Sequence, residues 1–172
     1  MKNFFISTLL LLSTVTFAQS IQNPLIVLDA KKIGFMLDIS KEMEAINPDD
    51  ISTLTVYKDS LVSKRYDSNS GVIVITTKKF ILDAFYKNNI ENSPLKTMIA
   101  SPEDLQKIGV LTDHPESKNQ PYDELQKYID TYTLSDKIKK VASIIFIKPS
   151  DSEKINPEWK FGALDINAEI EN

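Results

Sequence analysis

The run VIVITT, residues 72 to 77, is β-branched at every position. Two heavy substituents on each Cβ hold χ1 nearly fixed, which suits a pleated sheet better than a helix. The run is short, opens after Gly71 and closes at Lys78-Lys79, so it reads as a strand buried on both faces. Whatever the chain folds into must cover that strand from two sides.

A second constraint lies at the N-terminus, MKNFFISTLLLLSTVTFAQS. Lys2 supplies a positive start, Phe4 to Leu12 an apolar stretch, and Thr16 and Ala18 the small residues of a cleavage site. The pattern predicts a secretory signal peptide over residues 1 to 18, cut between Ala18 and Gln19. The apolar stretch is shorter than the roughly 18 residues a spanning helix needs. No later segment is apolar for long enough either, so no transmembrane segment is expected in the mature chain. The expected location is periplasmic or secreted, in a Gram-negative cell envelope.

Cysteine is absent from the 172 residues. That excludes a disulfide framework, a thiolate nucleophile and a cysteine-ligated metal. It also excludes a lipobox tether. Folding must then rest on core burial, which a chain of this length can supply. The formal charge of -4 is mild and the basic residues are scattered among acidic ones, so no nucleic-acid partner is expected.

Along the chain, LIVLD (25 to 29) predicts a strand, and Gly34 in KKIGF permits a turn. Asp38 or Ser40 is placed to cap a helix with Ile39, Met43 and Ile46 on one side. Asn47-Pro48 ends it, because the residue before proline disfavours the α region. TLTVYK alternates, with Leu54 and Val56 set inward. Asp59-Ser60 is placed to cap a short helix, LVSKRY, and DSNSG turns the chain into the 72 to 77 strand. FILDAFYKNNIENSPLKTM starts as helix and continues as loop, with Pro94 as a boundary.

The second half repeats this grammar. A short strand falls near Ile108 to Leu111, and HPESKNQP is a polar loop. Tyr122 to Ile138 predicts an amphipathic helix with Leu125, Tyr128, Ile129 and Tyr132 on one side. VASIIFIK is a strand, PSDSEKINPEWKF a connection, and GALDINAEI a final strand. Residues 51 to 79 and 141 to 170 match in length, strand placement and the glycine before the last strand, which raises an internal duplication beside chance similarity. The fold class is α+β, short helices against small sheets.

Three segments, NPLIVLDAKKI, INPDDISTLTVYKDS and KRYDSNSGVIVITTKK, resemble the plug domain of TonB-dependent outer-membrane receptors of the carbohydrate-uptake type. Asn23, Pro24, Leu25, Val27 and Asp29 match its first block. Ile46, Asn47, Pro48, Asp50, Ile51, Val56, Lys58 and Asp59 match the second. Tyr66, Gly71, Val72, Ile73, Ile75, Thr76, Thr77, Lys78 and Lys79 match the third. The likeness spans residues 23 to 79. Three positions depart from it: Ala30 and Asp67 replace glycines, and Ser70 replaces an asparagine. Asp67 can reach a left-handed conformation at modest cost, whereas Ala30 cannot do so easily, so these turns are expected to drift from the family's shapes. Beyond Lys79 the chain reads as a helix and a few strands rather than as a barrel wall. The resemblance therefore implies a plug-like module without transport, and it implies no catalytic residue and no cofactor.

Three units are expected: a plug-like module over residues 19 to 80, a helical linker over 81 to 104, and a second α+β module over 105 to 172. Candidate chemistry is sparse. His114, with Asp113, Glu116 and Ser117 nearby, could be imagined as a metal ligand or general base, but a site needs more converging groups. A solvent-exposed loop histidine is the plainer reading. The pairs Asp49-Asp50, Glu103-Asp104 and Asp123-Glu124 each lie at or near a proline and a helix start, where carboxylates favour the dipole. Trp159 is read as a buried aromatic beside Gly162, with an exposed hot spot beside Phe161 as the alternative. Tyr122, Tyr128 and Tyr132 are read as core face rather than a sugar-stacking platform. No phosphate loop, zinc motif or nucleophile elbow occurs.

The expected function is an exported non-enzymatic binding or docking module, whose partner is another envelope protein or receptor met through loops or a strand edge. The polar tail EIEN is placed to blunt such an edge. A hydrolase using His114 and loop carboxylates is the alternative, and a vestigial receptor fragment is a third reading.

Overall fold

The computed structural model describes residues 23–58, 66–111, 121–131 and 139–170. They form seven strands in two sheets, with short helices between them, an α+β arrangement. The signal segment, His114 with its neighbours, Tyr132 and the helix expected from Leu61 lie outside these residues, apart from Tyr66.

The first sheet has the order β2-β1-β4-β3. Its strands are β1 (Leu25–Leu28), β2 (Lys31–Phe35), β3 (Ile51–Tyr57) and β4 (Val72–Thr77). β4, the β-branched run, is a central strand. It pairs in parallel with β1, Leu25 opposite Val72, and antiparallel with β3, Tyr57 opposite Val72. On one face Leu25, Val27, Val72 and Val74 pack with Tyr66 into a small core, with Tyr57 against it. Ile26 and Ile75, which point the other way, are also buried.

Four local expectations are revised. The turn between β1 and β2 is at Asp29-Ala30, not Gly34, and Gly34 lies inside β2. Ala30 does take the left-handed conformation, φ 61° after Asp29 at 49°, as does Asp67 at 55°. Two consecutive positive φ values define the tight hairpin turn whose twist matches that of the strands, and hairpin closure outweighs the strain at alanine. Helix α1 (Ser40–Glu44) starts at Ile39 with no side-chain cap, so neither Asp38 nor Ser40 caps it. Leu54 and Val56 point outward, 55% and 49% exposed, because β3 is an edge strand and their face is uncovered there.

Thr77 ends β4 and begins helix α2 (Lys78–Asn89); its hydroxyl accepts from the Phe80 N–H at 3.1 Å. Ile81, Leu82, Phe85 and Tyr86 along α2 are buried. With Ile90, Ile99, Leu105, Ile108, Val110, Leu125, Ile129 and Leu164 they build the larger core. The stretch 81 to 104 therefore contributes core residues rather than merely spanning a gap.

The second sheet has the order β5-β7-β6. It contains β5 (Gly109–Val110), β6 (Lys139–Ile147) and β7 (Ala163–Ile170). Helix α3 (Pro121–Leu125) continues only as a tight turn to Tyr128, and Ile129 is extended, so the helix expected to reach Ile138 stops early. Asp130 and Thr131, next along the chain, are weak helix formers, and Ile129 leaves the helix to enter the core. The connection after β6 holds a further helix, α4 (Pro149–Ile155), where the sequence predicts only a connection. β7 pairs with β6 through Ile170 but with β5 only at Ala163 and Leu164, so Glu169 and Ile170 have a described strand on one side alone; Glu171 and Asn172 lie outside the described residues.

The two sheets share one plan. In each, the last strand lies between a parallel and an antiparallel neighbour. A bulge falls between Ile51 and Thr53 in β3 and between Val141 and Ser143 in β6, at the same register step. Gly71 and Gly162 precede β4 and β7 with φ of 88° and 101°. Their carbonyls accept from the N–H groups of Leu25 at 3.1 Å and Gly109 at 3.0 Å. A Cβ on either would meet the carbonyl oxygen of Tyr57 or Ile147 at 2.7 or 2.8 Å, so only glycine fits both places.

Candidate functional site

The residues that carry the plug resemblance hold turns together. The Asn23 side chain accepts from the Leu37 N–H at 2.9 Å, and that of Asn47 from the Asp49 N–H at 3.1 Å. Asp29 accepts from both the N–H and the hydroxyl of Thr77. The buried Tyr66 offers its carbonyl to the Lys32 ammonium at 3.1 Å. These side chains hold β2, β4 and the start of α2 in place.

The acidic pairs sit where helical turns begin. Asp49-Asp50 lies in the turn Pro48–Asp50, Glu103-Asp104 in Pro102–Lys107, and Asp123-Glu124 in α3. The Asp104 carboxylate accepts from the Ser101 N–H at 3.1 Å, and Glu124 pairs with Lys127 at 2.6 Å. Hydrogen bonds from its own backbone and the Ser101 hydroxyl hold the exposed Glu103 carboxyl below its usual range. No cluster of three metal-ligating side chains occurs among the described residues.

Aromatic side chains are split between core and surface. Tyr122 and Tyr128 pack against the larger core, and Tyr128 meets Phe85 edge-on at 6.2 Å. Burial pushes both phenols upward. The Lys78 ammonium lies 5.7 Å from the centre of the Tyr122 ring. Trp159 is half-buried, and its indole covers Gly109 rather than Gly162: a Cβ on Gly109 would fall 2.3 Å from the ring. Phe161 is exposed.

That leaves the sheet edges. β3 and β6 are the outer strands on the same side of their respective sheets, and no described strand pairs with the far edge of either. β3 reads ISTLTVY, and β6 from Val141 onward reads VASIIFI, with no charge in either stretch. Leu54 and Val56 stand exposed on β3, and Ile145, 56% exposed, on β6. Edge strands ordinarily carry a charge or proline that discourages pairing. Here the charges stand only at the ends. Asp49-Asp50 precedes β3 and Lys58-Asp59 follows it in the sequence, whereas Lys139-Lys140 opens β6 and Lys148 follows it. Composition alone did not mark these strands as edges, since an uncharged run serves equally well as a central strand.

Comparison with family models, with curated proteins and with solved structures finds no match to this chain.

Proposed function

We propose that the protein is an exported, non-enzymatic docking module of the cell envelope, a plug-like unit followed by a second unit of the same design. The register match between the sheets, bulge included, supports reading the second unit as a repeat of the first. The resemblance over residues 23 to 79 and the N-terminal signal pattern support the envelope setting. The observation that carries the reading is the β6 edge: its charge-free stretch offers backbone N–H and C=O groups to an added strand. Lys139, Lys140 and Lys148 frame that stretch, so the partner that fits is an extended segment of another envelope protein with acidic flanks.

The test immobilises the full chain and challenges it with envelope extract at physiological salt. A specific envelope protein should be retained, and Ile145→Lys, which sets a charge on the docking strand, should cut retention by about tenfold. Retention of nothing, or equal retention by the variant, would remove this reading.

A further inference from the structure

Thr77 and Lys78 mark a division that runs through the molecule. Among the described residues, the smaller core draws only on residues before Lys78 and the larger core only on residues after it. The sheets part at the same place: β1 to β4 end at Thr77, and β5 to β7 begin at Gly109. No described strand of one sheet pairs with a strand of the other.

The sources of instability are gathered on one side. The three non-glycine residues with positive φ among the described residues, Asp29, Ala30 and Asp67, all lie before Lys78. So does Thr76, buried with a hydroxyl that no described residue satisfies. Strained backbone and an unpaired buried polar group each cost free energy. The side that carries these costs has the smaller core to offset them, and Leu54 and Val56 on its sheet stay exposed.

We infer that the chain opens in two steps, residues 23–77 giving way as one body while residues 78–170 stay folded. The joint between them allows it. The Thr77 hydroxyl that caps α2 lies only three residues before the Phe80 N–H from which it accepts, so α2 keeps its cap when the first sheet opens. The buried side chains of α2 belong to the larger core and lose no partner within it. Lys78 does reach across, donating to the Asp49 carbonyl at 2.7 Å with its ammonium 5.7 Å from the centre of the Tyr122 ring. A partly exposed contact of this kind contributes too little to bind two cores into one cooperative unit.

Regions with few buried apolar contacts open below the global transition, and proteins draw their moving parts from them. Opening the first body frees the backbone groups of β1 and β4 that now pair with each other and with β2 and β3. β6 and β7 stay paired throughout, so the β6 edge keeps its form. The opening needs no docking partner and does not depend on that reading.

Hydrogen exchange of the full chain, read by mass spectrometry at a series of urea concentrations below the main transition, tests it. Peptides from β1, β3 and β4 should lose protection together at low urea, while those from α2 and β7 keep theirs. The emission of Trp159, which lies in the second body, should hold its wavelength through that first step. Val74→Ala opens a cavity in the smaller core. It should speed exchange in β1, β3 and β4 by about tenfold and leave α2 and β7 within about twofold. Leu164→Ala, a cavity in the larger core, should do the reverse. If a variant fails to fold, the measurement on the unaltered chain decides by itself. Loss of protection at one urea concentration throughout overturns the inference, as does first opening in α2 or β7. So does a Val74→Ala chain in which exchange of α2 is accelerated as much as that of β4.

Discussion

The carboxylate of Asp29 accepts two hydrogen bonds from Thr77, one from its backbone N–H at 2.8 Å and one from its hydroxyl at 2.9 Å. Thr77 in turn accepts from the Phe80 N–H, so one side chain in the β1–β2 turn steadies both the end of β4 and the start of α2. Hydrogen bonds to an ionised acceptor are among the stronger ones. Asp29→Ala should lower unfolding stability by about 2 to 3 kcal/mol. Thr77→Val, which removes the hydroxyl and the cap, should cost about 1 to 2 kcal/mol. In a double-mutant cycle by urea denaturation the pair should couple, because Thr77→Val costs less once Asp29 is gone.

Ala30 sits at φ 61°, where a Cβ is strained against its own backbone. Ala30→Gly should therefore raise stability by about 1 kcal/mol, despite the extra freedom glycine brings to the unfolded chain. A shift of the denaturation midpoint to lower urea would contradict the turn geometry.

Thr76 is fully buried in β4, and its hydroxyl has no hydrogen-bond partner among the described residues. An unsatisfied buried hydroxyl costs free energy that a methyl of the same shape does not. Thr76→Val should be neutral or stabilise by about 1 kcal/mol, measured by thermal or urea unfolding. A loss above about 1 kcal/mol would mean that the hydroxyl has a partner.

Gly109 leaves no room for a side chain beneath Trp159. Gly109→Ala should cost about 2 kcal/mol or more and shift the tryptophan emission to the red as the indole is displaced. Trp159 is the chain's single tryptophan, so the signal is unambiguous. Trp159→Leu in the same chain should recover part of the loss, because a smaller side chain can yield to the new methyl.

Elements with a strong local signal were legible before the structure. The β-branched run became the central strand, LIVLD its parallel neighbour, and FILDAFYK the body of α2. The Asp-rich helix starts were legible too, because proline and carboxylates act within one turn. The α4 helix was hidden in a segment rich in serine and charge, although Pro149 at its first position was a usable signal. Of the candidate site, the uncharged strands and their flanking charges were readable, but their status as edges was not.

The amino-acid order by itself determined the period and stiffness of the strands, the proline and acidic residues that open helical turns, the glycines before β4 and β7, and the α+β class. These depend on interactions within a few residues. Tertiary structure alone decided that Leu54 and Val56 face outward, that the 81 to 104 stretch enters the larger core, and that Trp159 lies on Gly109. The physical reason is that alternation tells which side chains share a face, whereas only the placing of neighbouring elements decides which face is covered.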